Sequence, residues 1–268
     1  MKNSDNSTPL SEKQHDAEIR DFTARVTHVE RPSSSLLRVA VTLPGSGNNK
    51  NWQEPNVAVR FYLPDGTRVY TVRSYDPDRE EAVIDVVQHE NPSLMMQWSA
   101  HAKIGDTFTL SGPRPHVGVP DTPRVALFAD DTAIPALYTL LEQWPAGKTG
   151  SAWVTTPDEA AFNELPTVAG VDLNYLSPGE SPLATAALGI SEKDGLGVWA
   201  AGERDEMKAI RRYFRQIIGL DKSVVNVAGY WKIDTTNAQI DEHRRAAYLR
   251  GIEQGISLTD FDDLDLAI

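Results

Sequence analysis

Arg68-Val69-Tyr70-Thr71-Val72-Arg73 is the stretch on which the reading of this chain turns. Its β-branched and aromatic residues favour an extended strand. Alternation sends Arg68, Tyr70 and Val72 to one face and Val69, Thr71 and Arg73 to the other. A guanidinium can grip a pyrophosphate by paired hydrogen bonds. A tyrosine ring can pack on a flat heterocycle, and a threonine hydroxyl can donate or accept. Together these supply the anion clamp, aromatic surface and hydrogen bond that a flavin dinucleotide needs. A sheet strand with solvated arginines would read the same from these six residues, so their neighbours decide.

Outward from that strand, short alternating runs are broken by turn residues. Phe22 to Val29, Leu36 to Leu43, Val57 to Leu63, Arg68 to Tyr75 and Ala82 to Val87 read as strands. Pro64-Asp65-Gly66 is a tight turn between two of them. Ser93 to Ala102 has helical spacing, with Leu94, Met95 and Trp98 on one side and Ser93 as N-cap. Thr107 to Leu110 is a sixth strand, which Gly112-Pro113-Arg114-Pro115 is expected to stop. Six short strands at this spacing predict a small antiparallel β-barrel.

From Arg124 the rhythm changes to strand then helix. Val125 to Ala129, Ala152 to Thr155, Leu173 to Leu176, Val198 to Ala201 and Val224 to Ala228 are mostly apolar, as in a buried parallel sheet. Ala133 to Trp144 and Asp205 to Ile218 read as helices, the second with an inner stripe of Met207, Ile210, Phe214 and Ile217. The second half is therefore expected to be a doubly wound α/β domain. Proline density sets the boundary near Pro120 to Pro123. The expected domains are 19–120 and 124–236, preceded by a disordered polar segment at 1–18. A helix from Ala238 to Gly255 and an acidic tail, Thr259 to Asp265, complete 237–268.

The 268 residues are 40% apolar and 24% charged, a globular balance. The absence of cysteine excludes disulfides, thiolate metal sites and a cysteine nucleophile. No apolar run suits a membrane span and no signal peptide is visible, so no membrane insertion and a cytoplasmic location are expected. A net charge of −12 argues against nucleic acid as a partner. It also means that an anionic ligand needs a local group of cations. Gly147-Lys148-Thr149 lacks the upstream glycine of a P-loop, and His89-Glu90 has no second histidine one helical turn on. His89 follows the fifth strand and precedes a helix N-terminus. It reads as a polar strand-end residue or as a flavin contact.

The Arg-x-Tyr-Thr string resembles the flavin motif of ferredoxin-reductase-like flavoproteins. Asp85-Val86-Val87-Gln88-His89, Trp98, Gly105-Asp106 and Ser111-Gly112-Pro113-Arg114 extend the likeness to the siderophore-interacting protein family. Asp130-Asp131-Thr132-Ala133-Ile134-Pro135-Ala136, Trp199-Ala200-Ala201-Gly202-Glu203, Arg211-Arg212-Tyr213 and Gly229-Tyr230-Trp231-Lys232 continue it in order. The resemblance spans roughly Phe22 to Lys232. It implies a six-stranded FAD-binding barrel followed by a ferredoxin-reductase-like nucleotide-binding α/β domain, and FAD-dependent ferric-siderophore reduction. One departure stands out. Ser93-Leu94-Met95-Met96 replaces the family's Gly-Pro-Ala-Ser turn, and its bulk is expected to alter the pyrophosphate contact.

By position, the resemblance assigns Arg68, Tyr70, Thr71, Val72, Arg73, His89 and Ser93 to FAD, with Thr71 tuning the flavin. It assigns Arg60, Arg114 and Lys232 to an anionic ferric siderophore. Thr132, Glu203, Arg204 and Lys208 are the expected contacts for NAD(P)H. Asp130 and Asp131 would repel a dinucleotide pyrophosphate. Weak NAD(P)H binding, or reduced ferredoxin as the electron donor, is therefore also expected. No side chain is expected to act as acid or base. Two alternatives stay open: a generic NAD(P)H:flavin oxidoreductase, and a siderophore-binding protein without redox activity.

Overall fold

The computed structural model describes residues 19–64, 66–88, 93–233 and 235. Six strands form the first half: β1 (Arg20–Glu30), β2 (Leu36–Thr42), β3 (Val57–Leu63), β4 (Gly66–Asp76), β5 (Glu81–Val87) and β6 (Thr107–Pro115). They close into an antiparallel barrel in the order β1-β2-β5-β4-β3-β6. Alternation fills its interior with Val59, Phe61, Val72, Ile84 and Leu110, while Thr71 points outward. Helix α1 (Leu94–Ser99) is shorter than the run expected from its pattern. It plugs one end of the barrel with buried Met95 and Met96, and Trp98 packs edge-on against Phe61 and Phe108.

Strand β6 corrects one expectation, because Gly112-Pro113-Arg114 continues it rather than stopping it. Ala58 pairs with Arg114 but Arg60 pairs with Ser111, so the extra residue sits in a bulge. A bulge tolerates proline, whose missing N–H has no ladder partner to lose. Gly112 is needed there. A Cβ on it would lie 2.9 Å from Val59 Cγ1 and 3.1 Å from the Trp52 ring.

The second half holds β7 (Arg124–Asp130), β8 (Thr149–Thr155), β9 (Val171–Leu176), β10 (Leu196–Glu203) and β11 (Val225–Trp231). They form a parallel sheet in the order β11-β10-β7-β8-β9. The interior strand β10 is buried along its whole length. Helices α2 (Ile134–Glu142), α3 (Glu159–Asn163), α4 (Pro182–Leu188) and α5 (Arg204–Arg212) cover the sheet. The chain leaves β7 in one direction for β8 and β9 and in the other for β10 and β11. The switch point between β7 and β10 therefore opens at Asp130 and Glu203, where this sheet type binds ligands.

Ile217 is 69% exposed, whereas Met207, Ile210 and Phe214 are buried as expected. Beyond α5, Tyr213–Ile218 is a wider π turn that rotates Ile217 off the inner stripe. The helix expected from Ala238, the acidic tail and the first eighteen residues lie outside the described residues.

The two halves are joined by a polar seam. Asp158 caps α3 and accepts from the Ser35 amide at 2.9 Å and the Ser35 hydroxyl at 2.7 Å. Arg38 and Arg73 both grip Asp85 of the barrel, at 2.7 and 3.0 Å, and Glu164 of the α/β half, at 2.6 and 3.0 Å. The Arg73 guanidinium also lies 3.7 Å from the Tyr138 ring centroid on α2. Leu36 and Val87 leave the barrel core to join that of the sheet.

Candidate flavin and substrate site

The site is assembled from strand β4 outward. Tyr70 packs edge-on against Phe61 and shares a hydrogen bond with the Ser93 hydroxyl at the start of α1. Burial pushes the Tyr70 phenol up to about 12, against the charge of Arg68 and the Ser93 bond, so it stays neutral. Ser93 Oγ also accepts from the Met96 amide at 3.2 Å. Arg68 donates to the Thr67 carbonyl at 2.6 Å, and its Nε is buried with no hydrogen-bond partner among the described residues.

An under-used guanidinium edge beside an aromatic ring fits an anionic, flat dinucleotide such as FAD. The altered Leu-Met-Met turn is compatible with it. Met95 and Met96 point into the barrel, and Leu94 packs beside Gly66.

Two of the expected flavin side chains are committed elsewhere. Arg73 belongs to the domain seam, where Asp85, Glu164 and Tyr138 take up its guanidinium. It is not a free anion clamp. The Val72 side chain is in the barrel core, which leaves only its backbone to face a ligand. His89 lies outside the described residues.

Thr71 lies on the outer barrel face, toward the α/β half. The Tyr230 hydroxyl of β11 hydrogen-bonds it, and burial pushes the Tyr230 phenol up to about 12. This contact across the domains was not visible locally. The only sequence cue was the Gly-Tyr-Trp-basic string.

The three cations expected at the substrate are carried by segments that flank the same threonine. Ala58 stands between Thr71 and Arg114 in the ladder, and Arg60 stands between Val69 and Ser111 in the next row. Adjacent strands are about 4.8 Å apart, which puts the Arg114 backbone roughly 10 Å from Thr71. Arg114 donates to Ser111 Oγ at 3.0 Å. Arg60 Nε is buried without a hydrogen-bond partner among the described residues. Lys232 follows Tyr230 by two residues and lies 3.6 Å from Asp205. Burial and the charge of Arg114 lower the pKa of neighbouring His116, so it adds no further positive charge near neutrality.

The switch point is acidic. Asp130 is 6% exposed and accepts from Trp231 Nε1 at 2.6 Å, Thr132 Oγ1 at 2.6 Å and the Thr132 amide at 3.0 Å. Burial, then the neighbouring Asp131 charge, push it up to about 7 against those bonds. Burial raises Asp131 as well.

The expected NAD(P)H contacts divide in two. Thr132 spends both donors on Asp130, and Glu203 caps α5 by accepting from the Glu206 amide at 2.9 Å. Arg204 lies against Gly229, where a Cβ would come within 2.6 Å of its Cγ, and Lys208 is exposed one turn further along α5.

A closed barrel, a parallel sheet entered at Arg124 and an Arg-x-Tyr-Thr strand at their junction define a ferredoxin-reductase-like flavoprotein. The chain belongs to the siderophore-interacting protein family. A siderophore-interacting FAD-binding domain matches residues 46–117, and the siderophore-interacting protein model matches 122–234. Ferric acinetobactin reductase of Acinetobacter baumannii is 33% identical over 96% of this chain and 94% of its own length. The NADPH-dependent ferric-chelate reductase of Escherichia coli K12 is 29% identical over 59% of this chain and 63% of its own. The solved siderophore-interacting protein of Acinetobacter baumannii superposes with a TM-score of 0.82. It is 31% identical and covers 87% of this chain and 99% of its own.

Proposed function

We propose that this protein is an FAD-dependent ferric-siderophore reductase, releasing iron from an imported chelate by reducing Fe(III) to Fe(II). The observation that carries the reading is the placement of Arg60 and Arg114 in the ladder rows at and beside Thr71, with Lys232 two residues beyond its partner Tyr230, in a chain of net charge −12. Such a group offsets the background field only for an anion brought to that point. The names of the relatives above, ferric-chelate and ferric acinetobactin reductase, agree with it.

FAD, when bound, supplies electrons singly to iron. The protein's part is to hold and tune. Arg68 offers its free edge to the pyrophosphate, Tyr70 its ring, and Ser93 its hydroxyl beside Tyr70. The Thr71 hydroxyl, shared with Tyr230, would tune the flavin. Arg60, Arg114 and Lys232 neutralise the chelate, and the lower charge of Fe(II) weakens its hold on hard oxygen ligands. On this reading residues 19–120 would take FAD and residues 124–236 NAD(P)H.

NAD(P)H is the proposed donor, held at the switch point by Arg204 and Lys208. The carboxylates of the Asp130 turn, and the saturated hydrogen bonds of Thr132 and Glu203, favour a loose hold. Reduced ferredoxin is the second reading. Anaerobic stopped-flow reduction separates them: fast, saturable bleaching of the flavin by micromolar NADPH rejects the loose hold.

The function is tested by adding a panel of ferric catecholates and hydroxamates to the anaerobically reduced yellow protein. Flavin reoxidation with Fe(II) trapped by a chelator is expected, and its absence across the panel refutes the reading. Replacing Arg60, Arg114 and Lys232 together by alanine should raise the Michaelis constant for an anionic chelate and leave the FAD content alone.

A further inference from the structure

We infer that Asp130 is a positioning residue whose carboxylate, through Trp231, holds the end of β11 so that Tyr230 stays on Thr71, and that its protonation loosens this hold. The chain of contacts is short. Asp130 Oδ2 takes the Trp231 indole N–H at 2.6 Å, and Tyr230, the preceding residue, hydrogen-bonds Thr71. Asp130 Oδ1 is fixed by the Thr132 hydroxyl and amide, so the carboxylate has no freedom to follow a drifting strand. Gly202 on β10 closes the other side, since a Cβ there would lie 2.6 Å from Asp130 Oδ2. An indole N–H can only donate. Its bond is strong to a carboxylate and weak to a carboxyl group that carries a proton.

The groups around Asp130 favour protonation. Asp131 follows it in the turn, Glu203 ends β10, and Glu206 on α5 interacts electrostatically with it. On the cationic side stand Arg204 of α5, against Gly229, and Lys232, which pairs with Asp205. Tyr230 remains neutral in this range. Burial and the Asp131 charge bring the Asp130 titration up to about pH 7. A modest acidification therefore converts the clamp from its tight to its loose form. The contact this alters is the one on Thr71, so the flavin's environment becomes dependent on pH through a residue that touches neither flavin nor substrate.

The inference rests on the flavin reading only for its second readout. The first is the Trp231 indole N–H resonance in the full-length protein, assigned among six tryptophans by Trp231→Phe. It should move between pH 5.5 and 8.5 with a midpoint near 7. In Asp130→Asn it should stay fixed. In Asp131→Asn the midpoint should fall, because a like charge has gone. A resonance that does not titrate, or one that still titrates in Asp130→Asn, overturns the inference. If Asp130→Asn does not fold, Asp131→Asn decides, and an unmoved midpoint overturns it.

The second readout is the visible spectrum of bound FAD. Its pH-dependent shift should share the indole midpoint and vanish in Tyr230→Phe while the indole still titrates. A shift that persists in Tyr230→Phe overturns the link to Thr71. A protein that binds no FAD would sink the flavin reading and leave the indole titration standing.

Discussion

The barrel and the sheet meet at two places built on opposite terms. At the seam, every charge is answered. Arg38 and Arg73 share Asp85 and Glu164, and Asp158 takes the Ser35 amide and hydroxyl. At the flavin side, groups stand in costly states. Arg60 and Arg68 each keep a buried Nε without a hydrogen-bond partner among the described residues, and Asp130 is raised toward neutrality. Saturated polar groups fix a geometry, whereas under-used ones are available to a ligand. The contrast gives Arg73 to architecture and leaves the Arg68 Nε edge open, although the two are five residues apart on one strand.

The sharpest way to break this contrast is Arg73→Ala. Removing one partner of a buried ion pair costs about 3–5 kcal/mol. The loss should appear in urea unfolding while FAD content per folded protein is retained; a change below about 1 kcal/mol would place Arg73 outside the seam's energetics. Asp158→Asn comes next, at about 1–3 kcal/mol for a buried acceptor removed from its donors.

The pH dependence of stability should carry opposite signs at the two places. Burial alone would raise the Asp158 pKa, but its hydrogen bonds outweigh that and hold it well below the usual carboxylate range. Its contribution is complete above its unfolded value of about 3.9 and is lost as the pH falls through the folded one. Asp130 is raised instead, so stability declines as the pH rises from about 4 toward about 7. Asp130→Asn should flatten that decline in urea midpoints measured across the range. Arg60→Ala is the smallest effect, within about 0.5 kcal/mol in stability, because the edge it removes is unpartnered. Its consequence should appear in the Michaelis constant for the chelate.

Much of this was readable along the chain. Strand β3 runs from Val57 to Leu63 as its alternation predicted, and the apolar runs after Arg124 became a parallel sheet. Helices α3 and α4 went unread because five and seven residues are too few to display a helical period. Alternation gave the correct face for Thr71 and Arg73 but not what stands opposite. Asp85, Glu164 and Tyr138 take up the Arg73 guanidinium across the seam, while Glu203 is engaged locally as the cap of α5. The Asp130–Trp231 and Thr71–Tyr230 contacts join residues far apart in sequence, and local pattern carries no trace of them.

The bulge in β6 has a bearing on where Arg114 points. Two residues before Arg114, Gly112 lets the strand lie close on Val59 and Trp52. A methyl group introduced at Gly112, or a smaller ring at Trp52, would tilt that strand and re-aim the guanidinium without altering it. The bearing of the Arg114 strand is thus set by apolar contacts behind the wall, so variation hidden in the barrel interior is a route to moving a surface cation.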